Sequence, residues 1–238
     1  MRRAEKVERI SEILEDLYPE PVPALDHTDA YTLLVAVALS AQTTDKKVNE
    51  VTPVLFAEAS TPEQMYALGA ERIRELIREI GLAPTKARNL WTAAGQIMDA
   101  GGEVVPDWEF LESLAGVGHK TASVVMAQGF DIPAFPVDTH IFRLARRWGL
   151  STGTTVEKVE GDLKRAFAKD TWNRRHLQII YFGREYCPAQ RHDLAICPIC
   201  SFAATKKQMQ SEAKARAGRR KTTPAPVDIV PAAAKRGR

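Results

Sequence analysis

The stretch that most restricts how this chain folds is Leu114-Ala115-Gly116-Val117-Gly118-His119-Lys120, a glycine turn between two apolar, helix-patterned segments. Two glycines in three residues permit positive φ and let a ligand come close to the backbone. Helical patterning on both sides makes the turn a helix-hairpin-helix. Its second helix opens near Gly118, with its first N–H groups unpaired and directed out of the turn. Such a helix start suits a phosphate group. Gly116, Val117, Gly118 and His119 are therefore candidate contacts for a phosphate backbone.

Lys120 falls in the first turn of that helix. The positive end of the helix dipole disfavours a protonated amine there, and burial adds to the effect. A lysine kept neutral is a nucleophile. Further on, Val137-Asp138-Thr139-His140 opens another helical pattern. Asp138 could accept a proton or stabilise a cation. Each residue also has a plainer explanation. Aspartate is a common N-cap, here for a helix from Thr139 to Arg147. A lysine beside a glycine turn is commonly a solvated charge or a phosphate contact. On the residues alone, both readings stand.

The rest of the chain carries helical periods and no convincing run of alternating strand residues. Val7, Ile10, Ile13, Leu14 and Leu17 share one helical face. Tyr31 to Ala41 is almost wholly apolar, too short to span a membrane, and is expected as a buried core helix after Asp29. Further helices are expected over Val48 to Ala57, from Pro62 after the Thr61 cap, over Glu71 to Ile80 with Gly81 as C-cap, and over Lys86 to Ala100. After Asp138, Thr155 to Phe167 and Thr171 to Tyr186 follow the same period. The fold class is all-α.

Charge is unevenly spread. The net charge is +3, but residues 206 to 238 carry ten Lys/Arg against two Asp/Glu, so the remainder is mildly acidic. That tail lacks apolar periodicity, is expected to be disordered, and suits a polyanion partner, which it does not identify, through salt-sensitive phosphate contacts. A terminus with no role is the alternative. The start Met1-Arg2-Arg3 runs into charged residues rather than an apolar signal region. Three cysteines, Cys187, Cys197 and Cys200, make no disulfide framework and point to metal.

Several of these stretches resemble one known family. LAGVGHKTASVV followed by VDTHIFR is similar to the hairpin and aspartate motif of the endonuclease III family of DNA glycosylases, with Ala115 in place of the usual proline. The resemblance puts Lys120 on the family's Schiff-base lysine and Asp138 on its catalytic aspartate. LSAQTTD, residues 39 to 45, resembles the family's loop whose glutamine fills the gap left by an extruded base, a role that falls on Gln42. GLAPTKA, residues 81 to 87, resembles the loop whose leucine wedges into the duplex, a role that falls on Leu82. Without the family, Gln42 is a polar helix end with Asp45 capping the next helix, and Leu82 is a core residue.

Gly183-Arg184-Glu185-Tyr186-Cys187 resembles the family's entry to a [4Fe–4S] loop. Here the pattern departs. The gap between Cys187 and Cys197 is longer than the family's, and Lys206 stands where a fourth cysteine is expected. Three outcomes stay open: a cluster completed by His192, Asp193 or a small molecule; no metal, with the loop held by packing; or zinc on Cys187, His192, Cys197 and Cys200. Phe182 also replaces the histidine common before Gly-Arg.

The resemblance spans roughly residues 5 to 200. It implies a six-helix barrel lobe over 22–133 that contains the hairpin. A second, discontinuous lobe would combine 1–21 with 134–205, with DNA bound in the groove between them. It further implies a monomeric, cytoplasmic, nucleoid-associated base-excision repair enzyme, for a bacterial source. That enzyme would remove oxidised pyrimidines such as thymine glycol from double-stranded DNA and cleave abasic sites by β-elimination. Adenine-mismatch, pyrimidine-dimer and mismatched-thymine glycosylases share the fold and are alternatives, as is a non-catalytic hairpin protein. A lysine at 120 in a short chain argues against the adenine-mismatch branch.

Overall fold

A computed structural model describes residues 1–190, 192–205 and 209–210. Eleven α-helices follow one another: α1 (Arg3–Leu17), α2 (Ala30–Ser40), α3 (Asp45–Glu58), α4 (Pro62–Leu76), α5 (Ala83–Asp99), α6 (Trp108–Ser113), α7 (His119–Val124), α8 (Thr139–Arg147), α9 (Val156–Ala166), α10 (Trp172–Glu185) and α11 (Cys200–Ala203). A π-helical turn, Val125–Gly129, continues α7. No strand occurs among the described residues. The basic tail lies outside them, apart from residues 209 and 210.

Among the described residues, two large hydrophobic cores form, with a small third cluster of Leu33, Val37 and Val124. The first is centred on α2, where Leu34, Val35, Ala36 and Leu39 pack with Val48 and Leu55 of α3, Met65 and Ile73 of α4, and Leu90, Ala94 and Ile97 of α5. Each such aliphatic side chain contributes about 2 kcal/mol by leaving water. The Asp29 carboxylate caps α2 by accepting the Thr32 N–H at 2.8 Å, which fixes where that apolar run begins to wind. The second core joins Ile10 and Leu14 of α1 to Phe135, Ile141, Leu144, Trp148, Leu163, Ile179 and Phe182. The chain crosses from one core to the other between Ala134 and Phe135.

Side chains clasp the two cores together. Arg184 of α10 donates to Asp45 of α3 at 2.7 Å. Tyr181 Oη donates to the Val22 carbonyl at 2.6 Å. Asn173 donates to the Ala127 carbonyl and accepts from the Ala134 N–H, at 3.0 and 3.1 Å.

Several boundaries differ from the periodicity, and α3 and α5 each begin three residues ahead of the expected Val48 and Lys86. Helix α4 ends at Leu76 and not at Ile80, so Gly81 is no C-cap. The chain instead turns through Ile77 to Gly81, with Ile77 and Ile80 buried as turn residues. A 3.6-residue period cannot tell such a buried turn from helix. Helix α3 is capped by Thr44, whose hydroxyl accepts the Lys47 N–H at 3.3 Å, and not by Asp45. That leaves the Asp45 carboxylate available to Arg184.

Candidate active site

The hairpin is α6, the turn Leu114–Gly118, and α7. Gly116 has φ +80, and a Cβ there would meet Asn89 Nδ2 of α5 at 2.6 Å. Gly118 differs from the expectation of positive φ. It is the extended N-cap of α7, with φ −103 and ψ 175, and a Cβ would enter open space. Glycine at 116 thus serves the fold, whereas at 118 it keeps the outer face clear beside the free amides of α7. Gln96 of α5 locks the turn by accepting the Ala115 N–H at 2.8 Å and donating to the Ser113 carbonyl at 3.0 Å. Gly116→Ala is expected to cost about 1–3 kcal/mol from strain at positive φ and the Asn89 collision. Gly118→Ala is expected to stay within about 0.5 kcal/mol of wild type. Urea unfolding of the two variants separates these roles.

His119 is held by its side chain. Nδ1 pairs with Glu112 at 2.7 Å and Nε2 with Glu160 of α9 at 2.9 Å, and the ring stacks on Trp108. Burial of the ring opposes protonation, but hydrogen bonds to the two carboxylates outweigh it and raise the pKa. His119 therefore ties the hairpin to α9 of the second core.

Lys120 lies one residue further. It is open to solvent by surface area, yet protein atoms crowd around its ammonium. Desolvation there pushes its pKa below the usual 10.5, and Asp138 and Asp45 act in the opposite sense. Arg184 adds a smaller lowering effect. The two residues that the sequence pairs, Lys120 and Asp138, are thus brought within electrostatic range, although α7 and α8 belong to different cores. Asp138 Oδ1 caps α8 by accepting the Ile141 N–H at 2.7 Å. Among the described residues, no hydrogen bond reaches Oδ2. Capping and chemistry are therefore compatible, with one oxygen for each.

His176 was not foreseen. It is fully buried, with Nδ1 at 2.9 Å from the Pro136 carbonyl, two residues before Asp138. Burial depresses its pKa to about 4, so it is neutral beside the lysine and aspartate. No local pattern marks it, because its position depends on α10 packing under the 135–138 segment.

Gln42 and Leu82 come together. Both adopt left-handed backbone, with φ 57 and 62. A Cβ on Gly81 would lie 3.6 Å from the Gln42 carbonyl, so the two loops touch. Leu82 is 58% exposed, so it is no core residue. A left-handed backbone is strained for a leucine, and here it also holds the side chain out in water.

The link between them is Lys86. It projects from the first turns of α5, and its buried ammonium donates to the carbonyls of Leu39 and Ala41 and to Thr43 Oγ1 at 2.8, 2.5 and 3.3 Å. Three donors thus meet three acceptors at the negative end of α2. The motif contained Lys86, but its role shows only when α2 and α5 are seen side by side. Lys86→Met is expected to leave those carbonyls unpaired, to cost about 1–3 kcal/mol in urea unfolding, and to weaken lesion-duplex binding about tenfold.

Comparison with known proteins agrees with this geometry. Residues 35–169 match the model of the HhH-GPD superfamily of base excision DNA repair proteins. An endonuclease III of Treponema pallidum is 45% identical over 192 residues, covering 80% of this chain and 91% of the relative. One from Bacillus subtilis is 39% identical over 204 residues, covering 85% and 93%. The chain belongs to the endonuclease III family. Its fold superposes on an endonuclease III trapped as a covalent intermediate with DNA (TM-score 0.82, 35% identity, 89% of this chain and 100% of the other). It superposes equally on a non-covalent endonuclease III–DNA complex (TM-score 0.83, 34% identity, with the same coverage).

Measured against endonuclease III, the chain's departures are explained unevenly. Phe182, in place of histidine, is a core side chain, packed edge-on to Trp148 and stacked on Tyr186. The cysteine loop brings Cys187, His192, Cys197 and Cys200 together, with one donor atom from each inside 4.8 Å, a group able to hold a metal ion. Lys206, at the missing cysteine's position, lies outside the described residues. No described helix is long and apolar enough to cross a membrane.

Proposed function

We propose that this endonuclease III relative is a bifunctional DNA glycosylase and AP lyase acting on oxidised pyrimidines, with Lys120 as nucleophile and Asp138 as its electrostatic partner. The observation that carries the reading is Lys120 itself. It is a lysine at the mouth of a hairpin whose desolvated setting lowers its pKa while Asp138 stands within range of its charge.

The chemistry follows from those two groups. The α7 amides hold the strand backbone, while Gln42 and Leu82 occupy the space of an extruded nucleotide. Neutral Lys120 Nζ attacks C1′ and the damaged base leaves with the glycosidic electron pair, taking up a proton. Asp138 stabilises the cationic character at C1′ as that bond breaks. Loss of a proton from Nζ and opening of the sugar give a protonated Schiff base. Removal of a C2′ proton then expels the 3′ phosphate by β-elimination. The two cores support a division into a hairpin-bearing lobe over 22–133 and a lobe of 1–21 with 134–205. No step passes through a metal, because Lys120 and Asp138 lie apart from the cysteine loop.

Borohydride trapping on a duplex with a single thymine glycol tests this. The expected result is a covalent protein–DNA complex and, without borohydride, cleavage 3′ to the lesion. Base release with no trapped complex would instead indicate activated water as nucleophile. Silence on both thymine glycol and abasic duplexes would favour a non-catalytic hairpin protein.

A further inference from the structure

The family resemblance implies a four-iron cluster on the cysteine loop, and the donor atoms here do not fit one. A cubane presents its four ligands at the corners of a tetrahedron with edges of about 6 Å, because each iron sits well out from the cluster centre. One donor atom from each of Cys187, His192, Cys197 and Cys200 lies within 4.8 Å of the others, and Cys187 Sγ is 3.6 Å from Cys200 Sγ. A single tetrahedral zinc, with Zn–S near 2.3 Å and Zn–N near 2.0 Å, needs donor separations of about 3.5–3.8 Å. The observed spacing, 3.6 Å for one pair and at most 4.8 Å for any, lies nearer that of a single ion and leaves no room for four irons and four sulfides.

The surroundings point the same way. Cys197-Pro198-Ile199-Cys200 is a C-x2-C step whose Cys200 N–H donates to Cys197 Sγ at 3.5 Å. A backbone amide bonded to the first sulfur of such a step orients and stabilises the thiolate before an ion arrives. Arg147 of α8 donates to Cys187 Sγ at 3.1 Å and to the Pro188 carbonyl at 3.1 Å. Three thiolates and a neutral imidazole on a divalent ion leave one net negative charge, and the Arg147 guanidinium opposes it. All three cysteines are buried at the rim of the second core. Spreading them to cubane distances would therefore disturb the packing of that core. The sequence spacing agrees: His192 falls midway in the enlarged gap between Cys187 and Cys197, where the longer loop can bring it to the cysteines in place of the missing fourth thiolate.

We propose that Cys187, His192, Cys197 and Cys200 form a mononuclear Cys3His zinc site in place of the family's iron–sulfur cluster. The ion joins the end of α10 to α11 and closes the second core. It is structural, since all four positions of the tetrahedron are filled by protein. The site is independent of the glycosylase reading, so neither fails with the other.

The test uses the full chain, expressed with iron and zinc both supplied and purified without oxygen. Metal and acid-labile sulfide analysis is expected to give about one zinc per chain and no sulfide, in a colourless protein. About four irons with matching sulfide and a brown absorption would overturn the proposal, as would protein with no bound metal. Cobalt exchanged into the wild type should show tetrahedral visible bands of a three-sulfur, one-nitrogen ligand set. His192→Ala should lose the metal to a mild chelator at least about tenfold faster. Because that variant risks misfolding, His192→Cys provides the second reading. It should retain about one metal and shift the cobalt bands to lower energy. Unshifted bands would exclude His192 as the fourth ligand and overturn the Cys3His assignment.

Discussion

Lys120→Gln is expected to abolish borohydride trapping completely and to lower base release by on the order of a thousandfold. Glutamine keeps much of the stem but carries no amine, so no Schiff base can form. Because the Lys120 side chain makes no hydrogen bond among the described residues and is open to solvent, the variant should fold as the wild type does. Equal urea midpoints would check this. The pH dependence of the wild type has a definite sign. The nucleophile is the neutral amine, so single-turnover trapping rises with pH, by about tenfold per unit, until it levels at the pKa of Lys120. Desolvation puts that pKa below 10.5, so the plateau arrives at lower pH than for a free lysine. A plateau at or above 10.5, or a residual trapped complex in the variant, would remove Lys120 from the role.

Asp138→Asn is the second large effect, and it separates three functions of one side chain. Asparagine can still accept the Ile141 N–H, so the α8 cap survives and stability should change by less than about 0.5 kcal/mol. Asp138→Ala should lose about 1 kcal/mol through the missing cap. The carboxylate also raises the pKa of Lys120. Removing its charge therefore makes more neutral amine available at neutral pH. If that were its only influence on the reaction, the Asn variant would be faster. The expected result is the reverse, a loss of about a hundredfold or more in base release, because the cation developing at C1′ loses its counter-charge. The trapping plateau should at the same time move to lower pH. A faster variant would restrict Asp138 to capping and to tuning the lysine.

Residues that serve the fold and residues that serve the site lie side by side in the chain. Gly116 and Gly118 sit two residues apart in one turn, yet only Gly116 has positive φ and an Asn89 side chain in its Cβ space. Lys86 appears in the motif that carries Leu82, and nothing local assigns it a task. Its three acceptors come from the end of α2 and the loop beyond, more than forty residues earlier.

What the sequence by itself determined is local. The hairpin, the α2 core run, the Thr61 and Asp138 caps, and the candidate residues 120, 138, 42 and 82 all follow from period, cap chemistry or motif. Each depends on residues within a turn or two of one another. The turn over Ile77 to Gly81 escaped, because a buried turn carries the same apolar spacing as a helix. Phe182 had no account until Trp148 and Tyr186 were placed around it. Three results belong to the tertiary structure alone. They are the desolvation of Lys120, the buried His176 beneath Asp138, and the meeting of Cys187, His192, Cys197 and Cys200 in one group able to hold a metal ion. The reason is common to all three. Desolvation and donor spacing are set by which distant segments pack into the same few ångströms, and no local stretch of chain encodes that distance.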